Sequence, residues 1–239
     1  MTEAEERDLL KALEAFDTPT VTNVVATYPG ASTCLELYSP WEDNWYTDQT
    51  LKAAYPELGS KCGFAVTCVY GLPEKNDAGA PTMQDILTAI HDSPQPVVIL
   101  IKQDFPAKIR GKVGLCGGNM STAFKSMGCV GIITDGPSRD IHEVRGMGLQ
   151  YMMTGTAAGH GPQAVKAVNV PVHICGMDVA PGEVIHMDEN GAVKFPREYL
   201  PRVLELCREL AAEEQEKQAR MASTDDPVLA ARYMKGQYQ

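Results

Sequence analysis

The sequence predicts a protein of the α/β class, and three observations carry that prediction. Short apolar, β-branched runs at 62–71, 97–103 and 129–134 have the length and composition of buried strands. Segments with helical spacing, 82–93 and 117–128, alternate with them. Helical patterns also occupy both ends of the chain.

Taken in order, TEAEERDLLKALEAF starts with Thr2 and Glu5 three residues apart, the spacing of a capping box. Leu9, Leu10, Leu13 and Phe16 then recur at helical intervals. DTPTVTNVVATY predicts a second helix from Thr18 or Thr20, with Pro19 suited to its first turn. Residues 36–60 break the pattern and hold both tryptophans, Trp41 and Trp45, with Tyr38, Tyr46 and Tyr55. They read either as a surface loop pinned by aromatics or as an oligomer contact or lid. CGFAVTCVYG and PVVILIKQ predict strands, with TMQDILTAIHDS as a helix between them, starting near Thr82 or Asp85. GGNMSTAFKSMG is a Gly-rich turn entering a helix that Gly128 closes, and CVGIITDG is the next buried strand.

VPVHICGMDVAPGEVIHMDENGAVKFP divides into short strands with turns at Pro181-Gly182 and Asn190-Gly191, the latter a hairpin signal. From about residue 201 a helix carries Leu204, Cys207, Leu210 and Ala211 on its apolar stripe. Residues beyond Met221 read as a weakly structured extension able to dock on a neighbour. With no repeat, low-complexity tract or clear linker, a single domain over 1–239 is the expected organisation.

Composition removes several function classes. The 239 residues carry a formal net charge of -10, with 44% hydrophobic and 22% charged residues. No Lys/Arg cluster is present, so a nucleic-acid surface is not expected. Seven cysteines, an odd number and without a C-x-x-C pair, read as reduced thiols in a cytoplasmic protein. MTEAEERDLL has no apolar signal core, and the apolar run VVILI is too short to span a bilayer, so no membrane role is expected. His91, His142, His160, His173 and His186 lack metal-binding spacing, although His160 sits in the Gly-rich stretch TAAGHGP. There is no G-x-S-x-G, no P-loop and no G-x-G-x-x-G.

Two stretches carry chemistry. Gly117–Ser121, GGNMS, would present free backbone N–H groups at a helix N-terminus, a place for a carboxylate. Thr134–Asp140, TDGPSRD, follows a strand and puts Arg139 and Asp140 at its C-terminal edge, where ligands of open α/β sheets collect. The bland reading of the second stretch is a solvated turn with an ion pair. The chemical reading gives Arg139 an oxyanion and Asp140 a hard cation, Mg²⁺ or Mn²⁺. Asp135 reads as a structural residue of the strand end.

GGNMSTAFKSMGCVGIITDGPSRD resembles the central signature of the RraA-like family, which includes the 4-hydroxy-4-methyl-2-oxoglutarate aldolases. GMDVAPGEVIHMDENGAVKFP, DTPTVTNVVA and the Glu216–Arg220 spacing in the tail are further, weaker matches. The resemblance implies a compact swivelling β/β/α sandwich with helical N- and C-terminal segments, assembled as trimers or hexamers. It implies a divalent-metal-dependent lyase acting on a small 2-oxo acid, by retro-aldol cleavage or by oxaloacetate decarboxylation through a pyruvate enolate. On the same basis Asp140 would be the direct metal ligand and Arg139 would contact the keto oxygen. The Gly117–Gly118 turn with the amides of Asn119 and Met120 would receive the substrate carboxylate. Glu216 of a neighbouring subunit, with Glu213 behind it, would hold metal-bound water. The chain departs from the family at Gly118, where many of its aldolases carry an acid, and at Asn190, where Asp is usual. Two alternatives stay open: a non-catalytic protein that binds a ribonuclease, and a divergent lyase or isomerase using the same enolate site.

Overall fold

The structure, a computed structural model, describes residues 1–28, 30–74 and 79–238. Helix α1, Glu3–Leu13, begins at Thr2, whose hydroxyl accepts from the Glu5 N–H while the Glu5 carboxylate accepts from the Thr2 N–H. Helix α2, Thr18–Val25, is capped by Asp17, which accepts from the Thr20 N–H at 2.9 Å. Strands β1, Lys52–Ala53, and β2, Lys61–Gly71, are followed by α3, Met83–Asp92, and β3, Val97–Asp104. Next come α4, Ala107–Arg110; α5, Gly118–Ser126; β4, Cys129–Thr134; α6, Ile141–Arg145; and β5, Gln150–Met153. The remainder is β6, Ala164–Val168; β7, Val172–Ile174; β8, Met177–Val179; β9, Val184–Asp188; β10, Gly191–Phe195; α7, Leu200–Ala222; and α8, Pro227–Met234.

The main sheet runs β1-β5-β4-β3-β2-β9-β10, with β2, β3, β4 and β5 parallel. Its longest strand, β2, pairs antiparallel with β9 through Lys61–Phe64 and with β6 through Cys68–Gly71. The mixed sheet therefore curls almost onto itself. Alternation along β3 assigns the two faces: Val97, Ile99 and Ile101 lie in a core with Ile86, Ile90 and Phe124 of α3 and α5. Val98 and Leu100 face the interior, where the β7–β8 hairpin adds Val172, Ile174, Met177 and Val179. A third core joins Leu10 and Leu13 of α1, Val21 and Val24 of α2, and Val203, Leu206 and Cys207 of α7 against Phe64, Val184 and Val193. This is the expected α/β sandwich with helical ends.

Three local expectations change. The tail past Met221 is helical: Asp226 accepts from the Val228 N–H at 2.8 Å and starts α8. The β9–β10 hairpin turns on Glu189-Asn190 rather than Asn190-Gly191, because Gly191 already pairs with Asp188. Asp188 fixes that register by accepting from the Asn190 N–H at 2.7 Å. Within 36–60 the two tryptophans part company: Trp45 is 1% exposed and stacks on Tyr38 at 5.4 Å, whereas Trp41 is 89% exposed. Among the described residues no helix is long and apolar enough to cross a membrane.

Candidate functional site

Parallel strands deliver their following loops to one edge. There the segments 114–117, 137–140 and 155–159 are laced by backbone bonds: Leu115 N–H to Pro137 O at 2.8 Å, Arg139 N–H to Cys116 O at 3.0 Å, and Gly114 N–H to Gly159 O at 2.9 Å. Ser138 N–H donates to Gly155 O and Ala157 N–H returns to Ser138 O, both at 3.0 Å. Tyr151 of β5 pins the arrangement from below, its hydroxyl donating to Cys116 O at 2.8 Å. Above this floor is a pocket of about 210 Å³ lined by Gly117, Gly118, Asn119, Met120, Arg139 and Asp140, with Gly114, Leu115, His160 and Gln163.

The two chemical stretches of the sequence thus share one pocket. Asp140 occupies the left-handed region at φ 60°, ψ 34°, uncommon outside glycine but most accessible to Asp and Asn. Although it stands at the N-cap of α6, its side chain makes no cap bond there. The carboxylate instead crosses to α5, where Oδ2 accepts from the Gly118 N–H at 3.0 Å and from Arg139 Nε at 3.4 Å. Gly118 N–H is therefore committed to Asp140, and the first-turn amides of Asn119 and Met120, two residues that line the pocket, have no intrahelical acceptor.

The glycines of this loop answer the charges opposite them. A Cβ at Gly114 would stand 3.1 Å from Arg139 Cγ and Cδ. One at Gly117 would stand 2.4 Å from Asp140 Oδ2, and one at Gly118 would stand 2.2 Å from Glu143 Oε1. Glu143 was not singled out by the sequence; it lies on α6, three residues after Asp140. Gln163 was also missed, and its Oε1 is buried with no partner among the described residues. The only sequence signal for that wall was the Gly-rich stretch around His160.

Other groups are set apart from the chemistry. Cys116 sits under the loop, and burial pushes its thiol up to about 11, so it is no nucleophile at neutral pH. Asp135 ties β4 to β3, accepting from Lys102 Nζ at 2.6 Å and the Gln103 N–H at 2.7 Å; burial raises its carboxyl above the usual range. Glu216 does not line this pocket. Its carboxylate pairs with Arg220 at 2.8 Å on an exposed stretch of α7, so it reaches a site of this kind only across a contact between chains.

Among the described residues no group of three His, Cys, Asp or Glu side chains could hold a metal by itself. The donor set still fits a hard divalent ion. Asp140 is half-buried at the pocket wall, only its Oδ2 is engaged, and Mg²⁺ and Mn²⁺ are commonly held by one carboxylate with waters and substrate oxygens.

Comparison with known proteins gives a consistent picture. Residues 42–194 match the family described as RraA-like, Aldolase/RraA. An uncharacterized protein of Methanocaldococcus jannaschii is 29% identical over 111 residues, 46% of this chain and 53% of that protein. A 4-hydroxy-4-methyl-2-oxoglutarate aldolase of Thermus thermophilus is 27% identical over 86 residues, 36% of this chain and 52% of the relative. The chain spans about half the length of the curated relatives it matches. An uncharacterized protein from Pseudomonas syringae superposes with a TM-score of 0.72 at 19% identity, over 96% of this chain and 94% of its own. Streptomyces coelicolor RraAS2, described as an unusual member of the RNase ES inhibitor RraA family, superposes with a TM-score of 0.64 at 22% identity, over 90% and 96%. At these identities the two structures speak to the fold alone.

Proposed function

The chain belongs to the RraA-like family, and on that premise we propose that its pocket serves a divalent-cation-dependent carbon–carbon lyase acting on small 2-oxo acids. The observation that carries the reading is the crossing of Asp140 to α5, which brings one carboxylate, one guanidinium and two free amides around a single small pocket. The amides of Asn119 and Met120 would bind the substrate carboxylate at the positive end of α5. Arg139 would stand by the 2-oxo group. When the C3–C4 bond of a 4-hydroxy-2-oxo acid breaks, the hydroxyl loses its proton, C4 becomes a carbonyl and the bonding pair passes into the 2-oxo group as an enolate. Loss of CO₂ from oxaloacetate delivers the same enolate, and a proton at C3 completes pyruvate. A guanidinium already in place stabilises the oxyanion as it forms. A cation held by Asp140 would add Lewis acidity toward the same oxygen.

Glu216 enters this scheme as a group supplied by a neighbouring copy within a trimer or hexamer. Light scattering on the eluted protein tests the assembly, and Glu216→Gln tests the contribution. For the reaction, the expected result is pyruvate from oxaloacetate or from a 4-hydroxy-2-oxo acid with Mg²⁺ or Mn²⁺, abolished by EDTA and by Asp140→Ala. Absence of turnover on both substrate types with metal present refutes the lyase reading.

A further inference from the structure

Gly118 and Glu143 form a pair that the proposed chemistry has not used. Asp140 is followed directly by α6, so residue 143 stands one turn on, along the same side as residue 140. Helix α6 packs on the N-terminal part of α5. Both oxygens of Glu143 lie over the Gly118 α-carbon, where a Cβ would be 2.2 Å from Oε1 and 2.5 Å from Oε2. As Glu143 stands, a side chain at residue 118 would have to displace the end of its flexible, exposed chain. The carboxylate is exposed and has no ion pair or hydrogen bond among the described residues. Its neighbour Asp140 is partly offset by Arg139 at 3.4 Å, which weakens its pull on a cation. Glu143 turns the local balance to one negative charge. Asp140 and Glu143 thus stand over consecutive glycines, Gly117 and Gly118, both of which line the pocket.

We infer that Glu143 is the second acidic group of this site, a positioning residue that favours a hydrated divalent cation beside Asp140 and takes up the space Gly118 leaves. The inference rests on the cation site of the lyase reading, and it assigns the charge of that site to two carboxylates of one chain rather than to Asp140 alone. Hydrated Mg²⁺ or Mn²⁺ suits such an arrangement, because a carboxylate can act on the ion through its waters.

The test is a titration of the full chain with Mn²⁺, without substrate, reading free Mn²⁺ by electron paramagnetic resonance. Wild type binds. Glu143→Gln keeps the shape and removes the charge, and is expected to weaken binding on the order of tenfold, as a screened neighbouring charge does for a divalent ion. Gly118→Asp in a Glu143→Ala background, where the long side chain over residue 118 is gone, returns a carboxylate to the vacated space and recovers most of the loss that Glu143→Ala alone brings. Glu189→Gln, an exposed carboxylate on the β9–β10 turn, leaves affinity unchanged. Wild-type affinity in Glu143→Gln overturns the inference while leaving the lyase reading intact. A loss in Glu143→Ala that Gly118→Asp does not recover also overturns it, since the effect would then come from shape rather than charge over residue 118. Wild type that binds no Mn²⁺ removes the cation site itself, and the inference with it.

Discussion

Replacing Gly117 by alanine adds one carbon at a place where the structure leaves none. The new Cβ would lie 2.4 Å from Asp140 Oδ2 and 3.4 Å from both Asp140 Cγ and Arg139 Cγ. Ordinary contact requires Oδ2 to retreat by about 1 Å. The bond it accepts from the Gly118 N–H is 3.0 Å long, and such a retreat breaks it. Losing a hydrogen bond to a charged group costs about 1.5–3 kcal/mol, and a 1 Å misplacement of a working group lowers rate on the order of 10²-fold. The backbone itself does not object. Gly117 sits at φ -149°, ψ -168°, extended geometry that alanine adopts freely. The assay is steady-state pyruvate formation with Mn²⁺, run beside a thermal melt. The expected result is kcat/KM down on the order of 10²-fold with the melting temperature lowered by about 3–12 °C, the size of the one lost bond. Wild-type kcat/KM in Gly117→Ala would refute the reasoning, because the observed position of Asp140 would then be irrelevant to turnover. A collapse of both rate and melting temperature would locate the damage in the loop's folding instead.

Further outcomes follow from neighbouring features. Arg139→Ala is expected to lower kcat on the order of 10²–10³-fold, the usual loss for a preorganised oxyanion partner, measured in the same pyruvate assay. Trp45→Ala empties a fully buried site and should lower unfolding free energy by about 3–5 kcal/mol, whereas Trp41→Ala, on an 89% exposed side chain, should stay within about 0.5 kcal/mol; urea unfolding separates them. His186 is buried, its Nδ1 3.0 Å from Thr18 Oγ1 and its Nε2 3.3 Å from Leu13 O. Burial holds its imidazole below the ordinary 6.5, against the opposing pull of Asp188, Glu14 and Asp17. As pH falls through 6.5 the unfolded chain takes up a proton before the folded chain does, so this contribution is complete above 6.5 and lost below it. The urea midpoint should fall between pH 7.5 and 5.5, and His186→Gln should flatten that dependence.

What was legible in the sequence was whatever repeats with a period or is fixed by a local bond. The stretches 97–101 and 129–133 lie in the sheet with both faces covered and therefore read as apolar runs. The starts of α1 and α3 were visible because Thr2 with Glu5, and Thr82 with Asp85, cap within three residues. Other elements depend on distant partners. The difference between Trp41 and Trp45 is made by α1, α2 and α7, which no window around residue 45 contains. The β9–β10 register was misplaced by one residue because Asp188 overrides the Asn-Gly preference. Helix α8 is short and buries no residue fully, and its half-buried Leu229, Ala230 and Tyr233 make too brief an apolar stripe to stand out. In the candidate site, Gly117–Met120 and Arg139–Asp140 were readable as local motifs, one a helix entry and the other a strand exit. Gln163 and Glu143 were not, since their relation to the pocket comes from loop lacing and from α6 folding back on α5.

The facing positions also explain why two motifs more than twenty residues apart belong together. Gly114, Gly117 and Gly118 lie respectively against Arg139, Asp140 and Glu143, each close enough that a methyl group would press on the charged side chain. The glycine loop is thus the negative shape of the charged segment, and a substitution in either acts through the other. That coupling has a measurable signature. Residues sharing one contact give non-additive effects, whereas independent sites add within about 0.3–0.5 kcal/mol. Gly117→Ala should therefore weaken Mn²⁺ binding in the wild-type background and do almost nothing further in an Asp140→Asn background. The asparagine side chain keeps the size but no longer the charge whose placement the glycine protects. Additive losses in that cycle would mean that Gly117 serves the backbone of the loop, and that the close approach of its α-carbon to Asp140 is incidental.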